Sequence, residues 1–155
     1  MVRLLHYSKE PLKGVKSVAP KRQGESFKPK GLWVSEDDAW KKWVSQNKFY
    51  PEEYVIENEI LLEPDANMLH ISKLEELHAF TDKVEVPAEW TRKYKYVDVL
   101  NLDWESVANS YDGILIMPYI WGGHSDPKTM WYYGWDIGSG CIWNADAVKD
   151  IVVYE

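Results

Sequence analysis

The fold class is decided by residues 133–148, YGWDIGSGCIWNADAV, near the end of the chain. The apolar segment 141–143 predicts a short strand, and the segment 144–146, Asn-Ala-Asp, predicts the turn that ends it. A last strand is predicted from Val148 to Tyr154. The acid Asp136 stands just before the first of these two strands, so the stretch combines a strand pair with a candidate functional carboxylate.

Outside this stretch, strands and helices are predicted in an irregular order. Apolar or alternating segments predict strands over 2–8, 31–35, 53–62, 67–71 and 114–117. Ser35 is predicted to cap a helix, with acids 36–38 in its first turn. Ser72 and Glu75 fit a capping box, and Asp103 is predicted to cap a further short helix. Because helices and strands do not alternate regularly, the sequence predicts an α+β fold rather than a doubly wound parallel sheet.

Length and composition limit the protein to a few classes. A chain of 155 residues predicts a single domain over 1–155, with no apolar run long enough to cross a bilayer. Cys141 is the one cysteine, which excludes a disulfide framework and favours a reducing compartment, so we expect a cytoplasmic protein. We expect a monomer or a small oligomer.

The charge is negative overall and unevenly distributed. The formal net charge of −7 argues against general binding of duplex DNA, which needs a basic footprint. Residues 9–30 carry seven basic and two acidic side chains, and their prolines and glycine predict a long basic loop. Such a loop is suited to cover a phosphate or diphosphate, or it is simply solvated.

Familiar catalytic motifs are missing from the sequence. It has no G-x-S-x-G nucleophile elbow and no phosphate-binding G-x-x-x-x-G-K-[ST] loop. The histidines are dispersed, so no metal site is predicted. Cys141 lies in an apolar segment and is predicted to be a core residue rather than a nucleophile.

Two other short motifs stand on predicted strands and leave candidate ligand-binding side chains. His6 and Ser8 are two residues apart in a strand and are therefore expected on the same face, where imidazole and hydroxyl suit ribose hydroxyls. Gly31 before the second strand permits a close backbone approach, and Trp33 can stack on a flat ring. Residues 118–140 are predicted to be an aromatic-rich loop.

In their order, these motifs resemble the ADP-ribosyltransferase fold of the His-Tyr-acid type. The resembling features are H-x-S on the first strand, G-x-aromatic-x-S on the second, and an acid before the penultimate strand. That group includes poly-ADP-ribosyl enzymes, the diphtheria-toxin class and small phage and bacterial relatives. The resemblance implies a split mixed or antiparallel sheet with short helices. It also implies an NAD-dependent enzyme that transfers ADP-ribose to a protein or nucleic-acid acceptor and releases nicotinamide, without a metal.

Carried over by position, the resemblance implies a role for each motif residue. His6 would hold the ribose next to nicotinamide with Ser8 beside it, and Trp33 would take the place of the family's stacking Tyr. Ser35 would end that strand near the pocket, and Asp136 would stabilise the positive charge that develops on the ribose as nicotinamide leaves. Basic residues of the loop, among them Lys21 and Arg22, would neutralise the diphosphate. The register of the acid stays open, with Asp150 and Asp126 as alternatives to Asp136.

Two other functions remain open. A catalytically inactive protein on the same scaffold would act as a protein–protein interaction module or inhibitor of a host factor, with Trp121 and Trp131 as contact residues. The many aromatic residues also fit a carbohydrate- or nucleotide-binding module. Loss of partner binding on mutating Trp121 and Trp131, with no effect of Asp136→Ala, would favour the interaction module.

Overall fold

Strand pairing dominates the computed structural model, which describes residues 1–88 and 100–155. Its strands are β1 (Leu4–Ser8), β2 (Glu25–Ser26), β3 (Leu32–Glu36), β4 (Ile56–Leu62), β5 (Met68–Ile71), β6 (Glu85–Pro87), β7 (Leu100–Asp103), β8 (Gly113–Ile116), β9 (Ser139–Ile142) and β10 (Val148–Tyr154). One sheet has the order β10-β4-β1-β3-β9-β8-β5, and a smaller one has the order β2-β7-β6. Within the large sheet β5 and β8 are parallel and the other pairs antiparallel, so the sheet is mixed.

Short helices connect the strands. They are α1 (Ala39–Asn47), α2 (Leu74–Val84), α3 (Trp104–Ser110) and α4 (Trp121–His124), with 3₁₀ turns at Pro20–Arg22, Pro51–Glu53, Pro127–Gly134 and Ala145–Ala147. The prediction of a single-domain α+β fold with a mixed sheet and short helices is confirmed. The prediction of a continuous loop over 118–140 is wrong, because α4 and a 3₁₀ segment form there.

The predicted helix caps have three different outcomes. Asp103 caps α3 as predicted, since its carboxylate accepts from the backbone N–H of Ser106. Ser35 does not cap α1, because β3 continues to Glu36, whose N–H donates to the carbonyl of Gly138. Ser72 pairs with Glu76 rather than Glu75, since both its N–H and its hydroxyl donate to the Glu76 carboxylate.

The large sheet separates two apolar clusters, because successive side chains of a strand point to opposite faces. One face packs against α2, α3 and the aromatic segment that follows β8; its buried residues include Ile71, Leu77, Ile114, Cys141 and several tryptophans. The other face is smaller and buries Leu4, Val34, Ile60 and Ile142. In the described part of the chain, no helix is long and apolar enough to cross a membrane.

The sheet opens between β1 and β3. The two strands pair only at Leu4–Glu36 and Leu5–Ser35, whereas β1 stays paired with β4 as far as Ser8 and β3 stays paired with β9 as far as Leu32. Beyond Leu5 and Ser35 the strands therefore separate. The candidate site lies at this separation.

Candidate functional site

A cavity of about 340 Å³ lies at the opening between β1 and β3. Its lining includes His6, Trp33, Ser35 and Asp136, which come from three distant segments of the sequence. The volume falls near the lower end of the range of about 300–1,000 Å³ that is usual for small-molecule sites. The cavity therefore has room for about one small ligand, or for one half of a longer one.

The His6 imidazole bridges β1 and β3 at the point where their backbones no longer pair. Its Nδ1 lies 2.6 Å from the carbonyl oxygen of Trp33. Because a carbonyl only accepts, Nδ1 carries the proton and donates, which leaves the Nε2 lone pair as an acceptor. Burial lowers the pKa of His6 below its usual 6.5, against the opposing effect of the Trp33 carbonyl. His6 is thus a neutral hydrogen-bond acceptor on the cavity wall at neutral pH.

Two indoles form one part of the wall. The rings of Trp33 and Trp135 meet edge to face, with centroids 4.9 Å apart. Gly31 lets β3 approach β9 closely, as predicted, because a Cβ there would lie 2.9 Å from the carbonyl carbon of Ile142. Trp135 is 2% exposed, and its indole N–H has no acceptor among the described residues. A buried donor without a partner is costly, which makes this N–H a candidate to meet a ligand oxygen.

A second aromatic part of the wall comes from α1 and from the segment before β4. Trp40 and Tyr54 both line the cavity, with ring centroids 5.4 Å apart. Trp40 also stacks on Trp43, at 5.0 Å and nearly parallel, and Phe49 packs against both indoles. Neither Trp40 nor Trp43 was predicted from the sequence to be a site residue. Their spacing of three residues is the sequence signal from which their contact on one helix face could have been predicted.

Asp136 is the one acidic residue among the described residues that line the cavity. Its side chain is exposed, at the edge of the cavity, in the segment leading into β9. Together with burial and Tyr132, it helps to raise the pKa of Tyr119. The two alternative acids lie elsewhere. Asp126 accepts from His78 at 2.7 Å, and Asp150 lies on β10 at the far end of the large sheet.

The basic residue at the cavity is not one of those predicted. Lys21 and Arg22 lie in the exposed 3₁₀ turn Pro20–Arg22, which packs beside α3 and does not line the cavity. Lys28, from the same basic loop, lines it instead, with its ammonium 5.6 Å from the Trp33 ring centroid. An irregular loop has no periodicity from which this choice of lysine could be predicted.

Of the two serines predicted at the site, only Ser35 lines the cavity. Ser35 lines the cavity and donates to the carbonyl of Asp37 at 2.8 Å. Ser8 does not line it, because its hydroxyl donates to the carbonyl of Glu10 and accepts from the Asn58 amide. The expectation that His6 and Ser8 face one ligand is therefore corrected. Ser139, which the sequence analysis did not select, lines the cavity beside Ser35, its partner in the β3–β9 ladder.

Next to the cavity lies an exposed group of aromatic rings, here called the outer aromatic patch and formed by Tyr119, Trp121, His124 and Tyr133. Trp121 is 76% exposed and Tyr133 is 63% exposed. The Tyr119 ring packs on Trp121, and His124 packs on Tyr133. Trp131 is not part of it: it is buried, and its N–H donates to Thr81, so the prediction that it is a contact residue is wrong.

Cys141 is buried in β9, as predicted, and burial raises its pKa. Among residues 1–88 and 100–155, no group of three or more His, Cys, Asp or Glu side chains is arranged to hold a metal ion. The sequence matches no protein-family model and no curated protein, and the fold matches no solved structure.

Proposed function

We propose that the cavity binds the nicotinamide-ribose half of NAD and that the protein transfers ADP-ribose to a macromolecular acceptor, releasing nicotinamide. The observation that carries the proposal is the convergence of His6, Trp33 and Asp136 on one cavity. These residues were selected from the sequence as members of three separate motifs. The β1–β3 and β3–β9 ladders bring these motifs to one site of ligand size.

The cavity wall offers suitable groups for a nicotinamide nucleoside. Trp33 presents a large flat ring for stacking on the pyridinium ring. The Nε2 atom of His6 would accept a hydrogen bond from a ribose hydroxyl, because its Nδ1 proton is held by Trp33. The unpartnered N–H of Trp135 would donate to the carboxamide oxygen. The last two contacts use polar atoms for which the structure shows no hydrogen-bond partner among the described residues.

The chemistry follows from where charge develops. The bond between the ribose C1′ and the pyridinium nitrogen breaks, and its electron pair returns to the ring, which leaves as neutral nicotinamide. Positive charge then builds on the ribose, where the carboxylate of Asp136 would stabilise it. An acceptor nucleophile forms the new bond to C1′ and loses its proton to solvent or to a nearby base. Water in that role would give free ADP-ribose.

Incubation with labelled NAD tests the proposal. Folded protein mixed with ³²P-NAD and a cell extract should label a macromolecule and release nicotinamide, and Asp136→Ala should remove both signals. Absence of label and of nicotinamide from folded wild-type protein would contradict the proposal.

A second function is favoured by the outer aromatic patch. Large exposed aromatic side chains are typical of protein-interaction hot spots. A catalytically inactive interaction module or inhibitor of a host factor would use Trp121 and Tyr133, both more than half exposed. In that case Trp121→Ala should abolish capture of the partner while Asp136→Ala leaves it intact. The converse result supports the enzyme.

A further inference from the structure

Lys28 lines the cavity and lies close to two of its other lining residues, Trp33 and Gly134. Its ammonium stands over the Trp33 ring, 5.6 Å from the centroid. The Cε atom of Lys28 packs against Gly134, where a Cβ atom would lie 3.3 Å from it. Lys28 thus covers a face of the indole that we propose as the stacking surface.

Among residues 1–88 and 100–155, the lysine has no counter-ion. No carboxylate among the described residues pairs with its ammonium, whereas Lys9, Lys42 and Lys128 each have an acidic partner. Its loop is nevertheless held in place. The buried Gln23 amide donates to the carbonyl of Lys30 at 2.7 Å and accepts from its N–H at 2.8 Å. The position of Lys28 is therefore set by the fold while its charge stays unsatisfied.

An ammonium over a partly buried aromatic ring gains a modest attraction. A charge-assisted hydrogen bond to phosphate is the stronger interaction for the same group. A ligand that brings both a flat ring and a phosphate would offer Lys28 a better partner and take its place on Trp33. A ligand with the ring alone would displace the ammonium from Trp33 without offering it a new hydrogen-bond partner.

We infer that Lys28 is the phosphate ligand of this site and that it exchanges the Trp33 ring for the diphosphate when the dinucleotide enters. This inference rests on the proposed function, since it assigns the part of NAD that the loop contacts. Lys28 makes ring stacking and phosphate binding interdependent, and it would make the site prefer phosphorylated nicotinamide ligands over the free nucleoside.

The test compares two ligands that differ in phosphate. Binding of NAD and of nicotinamide riboside to wild type and to Lys28→Ala is measured by tryptophan-fluorescence quenching immediately after mixing. Lys28→Ala should weaken NAD binding about tenfold or more and leave nicotinamide riboside unchanged or tighter. Lys28→Arg should restore much of the NAD affinity. The matched control, Lys21→Ala with Arg22→Ala, removes two cations of the same loop that do not line the cavity, and it should bind both ligands as wild type does.

The outcomes separate the two proposals. If wild type binds both ligands but Lys28→Ala binds NAD equally well, or loses both ligands to the same extent, the role of Lys28 is overturned and the proposed function stands. If wild type binds neither ligand, the proposed function is overturned. Because Lys28 is exposed, far-UV circular dichroism should show that its variants fold normally.

Discussion

Two groups of tryptophans in the described part of the chain differ in what surrounds them. Trp104, Trp131 and Trp143 are at most 2% exposed, and each indole N–H donates to a protein oxygen, namely Ser26, Thr81 and Tyr111. The group around α1 consists of Trp40, Trp43, Phe49 and Tyr54, which pack mainly on one another. None of these four belongs to either apolar cluster of the sheet.

The difference shows that the high tryptophan content of this chain serves two purposes, the stability of the core and the wall of the cavity. The buried group stabilises the fold, and it extends to Trp135 and Trp33 at the cavity. The α1 group contributes little to the main core but supplies Trp40 and Tyr54 to the same cavity. The cavity thus lies where a wall continuous with the core meets a wall that is packed separately. Aromatic residues should therefore differ in their effects on stability and on binding.

The largest expected effect is a difference in unfolding free energy between substitutions in the buried group and in the α1 group. Trp104→Ala removes a fully buried side chain and its hydrogen bond to Ser26, and it should cost about 3–5 kcal/mol of unfolding free energy. Trp40→Ala removes a half-buried side chain and should cost about 1–2 kcal/mol of unfolding free energy. Urea unfolding followed by circular dichroism measures both. Equal costs would mean that the α1 group is part of the core.

The second prediction concerns chemistry at the cavity rather than packing. Asp136→Asn should lower kcat/KM for NAD cleavage by about 10²–10³-fold, because it removes the charge that faces the developing cation. Its stability should stay within about 0.5 kcal/mol of wild type, since the side chain is exposed. Nicotinamide release is the readout. Asp150→Asn, on the exposed surface of β10, is the control, and an equal loss in that variant would contradict the assignment.

The third prediction compares the two walls by ligand affinity. Trp33→Ala should weaken NAD binding by about 1–3 kcal/mol, the usual range for loss of one aromatic stacking partner. Trp40→Ala should weaken it less, because the proposed pyridinium partner is Trp33. Titration by isothermal calorimetry gives both values, with Trp33→Phe retaining most of the affinity. A larger loss in Trp40→Ala would move the stacking surface to the α1 wall.

The smallest expected effect is a pH dependence. Burial lowers the pKa of His6 in the folded protein, so the unfolded chain binds more protons as the pH falls below 6.5. The stability contribution is therefore present above that pH and lost as the pH falls through the lower folded pKa. NAD affinity should fall as the pH drops through and below the folded pKa, because protonation of His6 removes the Nε2 acceptor, and the loss should be about tenfold or less, the effect of one hydrogen bond. His6→Gln should flatten both profiles, and an unchanged affinity profile would exclude the role of Nε2.

Sequence patterns predicted what depends on strand periodicity. His6 and Trp33 were assigned to strands, and Asp136 to the entrance of another, and the ladders β1–β3 and β3–β9 bring these segments together. The close approach at Gly31 followed from its missing side chain. These features rest on local patterns that repeat every two residues, so a single sequence was sufficient to predict them.

What could not be predicted depends on irregular segments. Lys28 rather than Lys21 reaches the cavity because the Gln23 amide closes the loop on Lys30, a contact without a sequence pattern. Trp121 and Trp131 looked equivalent, but the short helix α4 and the 3₁₀ segment expose one and bury the other. The acids after Ser35 predict a helix cap at Ser35, whereas the tertiary hydrogen bond from Glu36 N–H to the carbonyl of Gly138 extends the strand past it.

Saturation-transfer difference NMR with NAD tests the central claim most directly. Wild-type protein should transfer magnetisation most strongly to the nicotinamide-ring and adjacent ribose protons, and Trp33→Ala should reduce that transfer. Transfer confined to the adenine protons, or no transfer to any proton of NAD, would contradict the claim that this cavity receives the nicotinamide end of the dinucleotide.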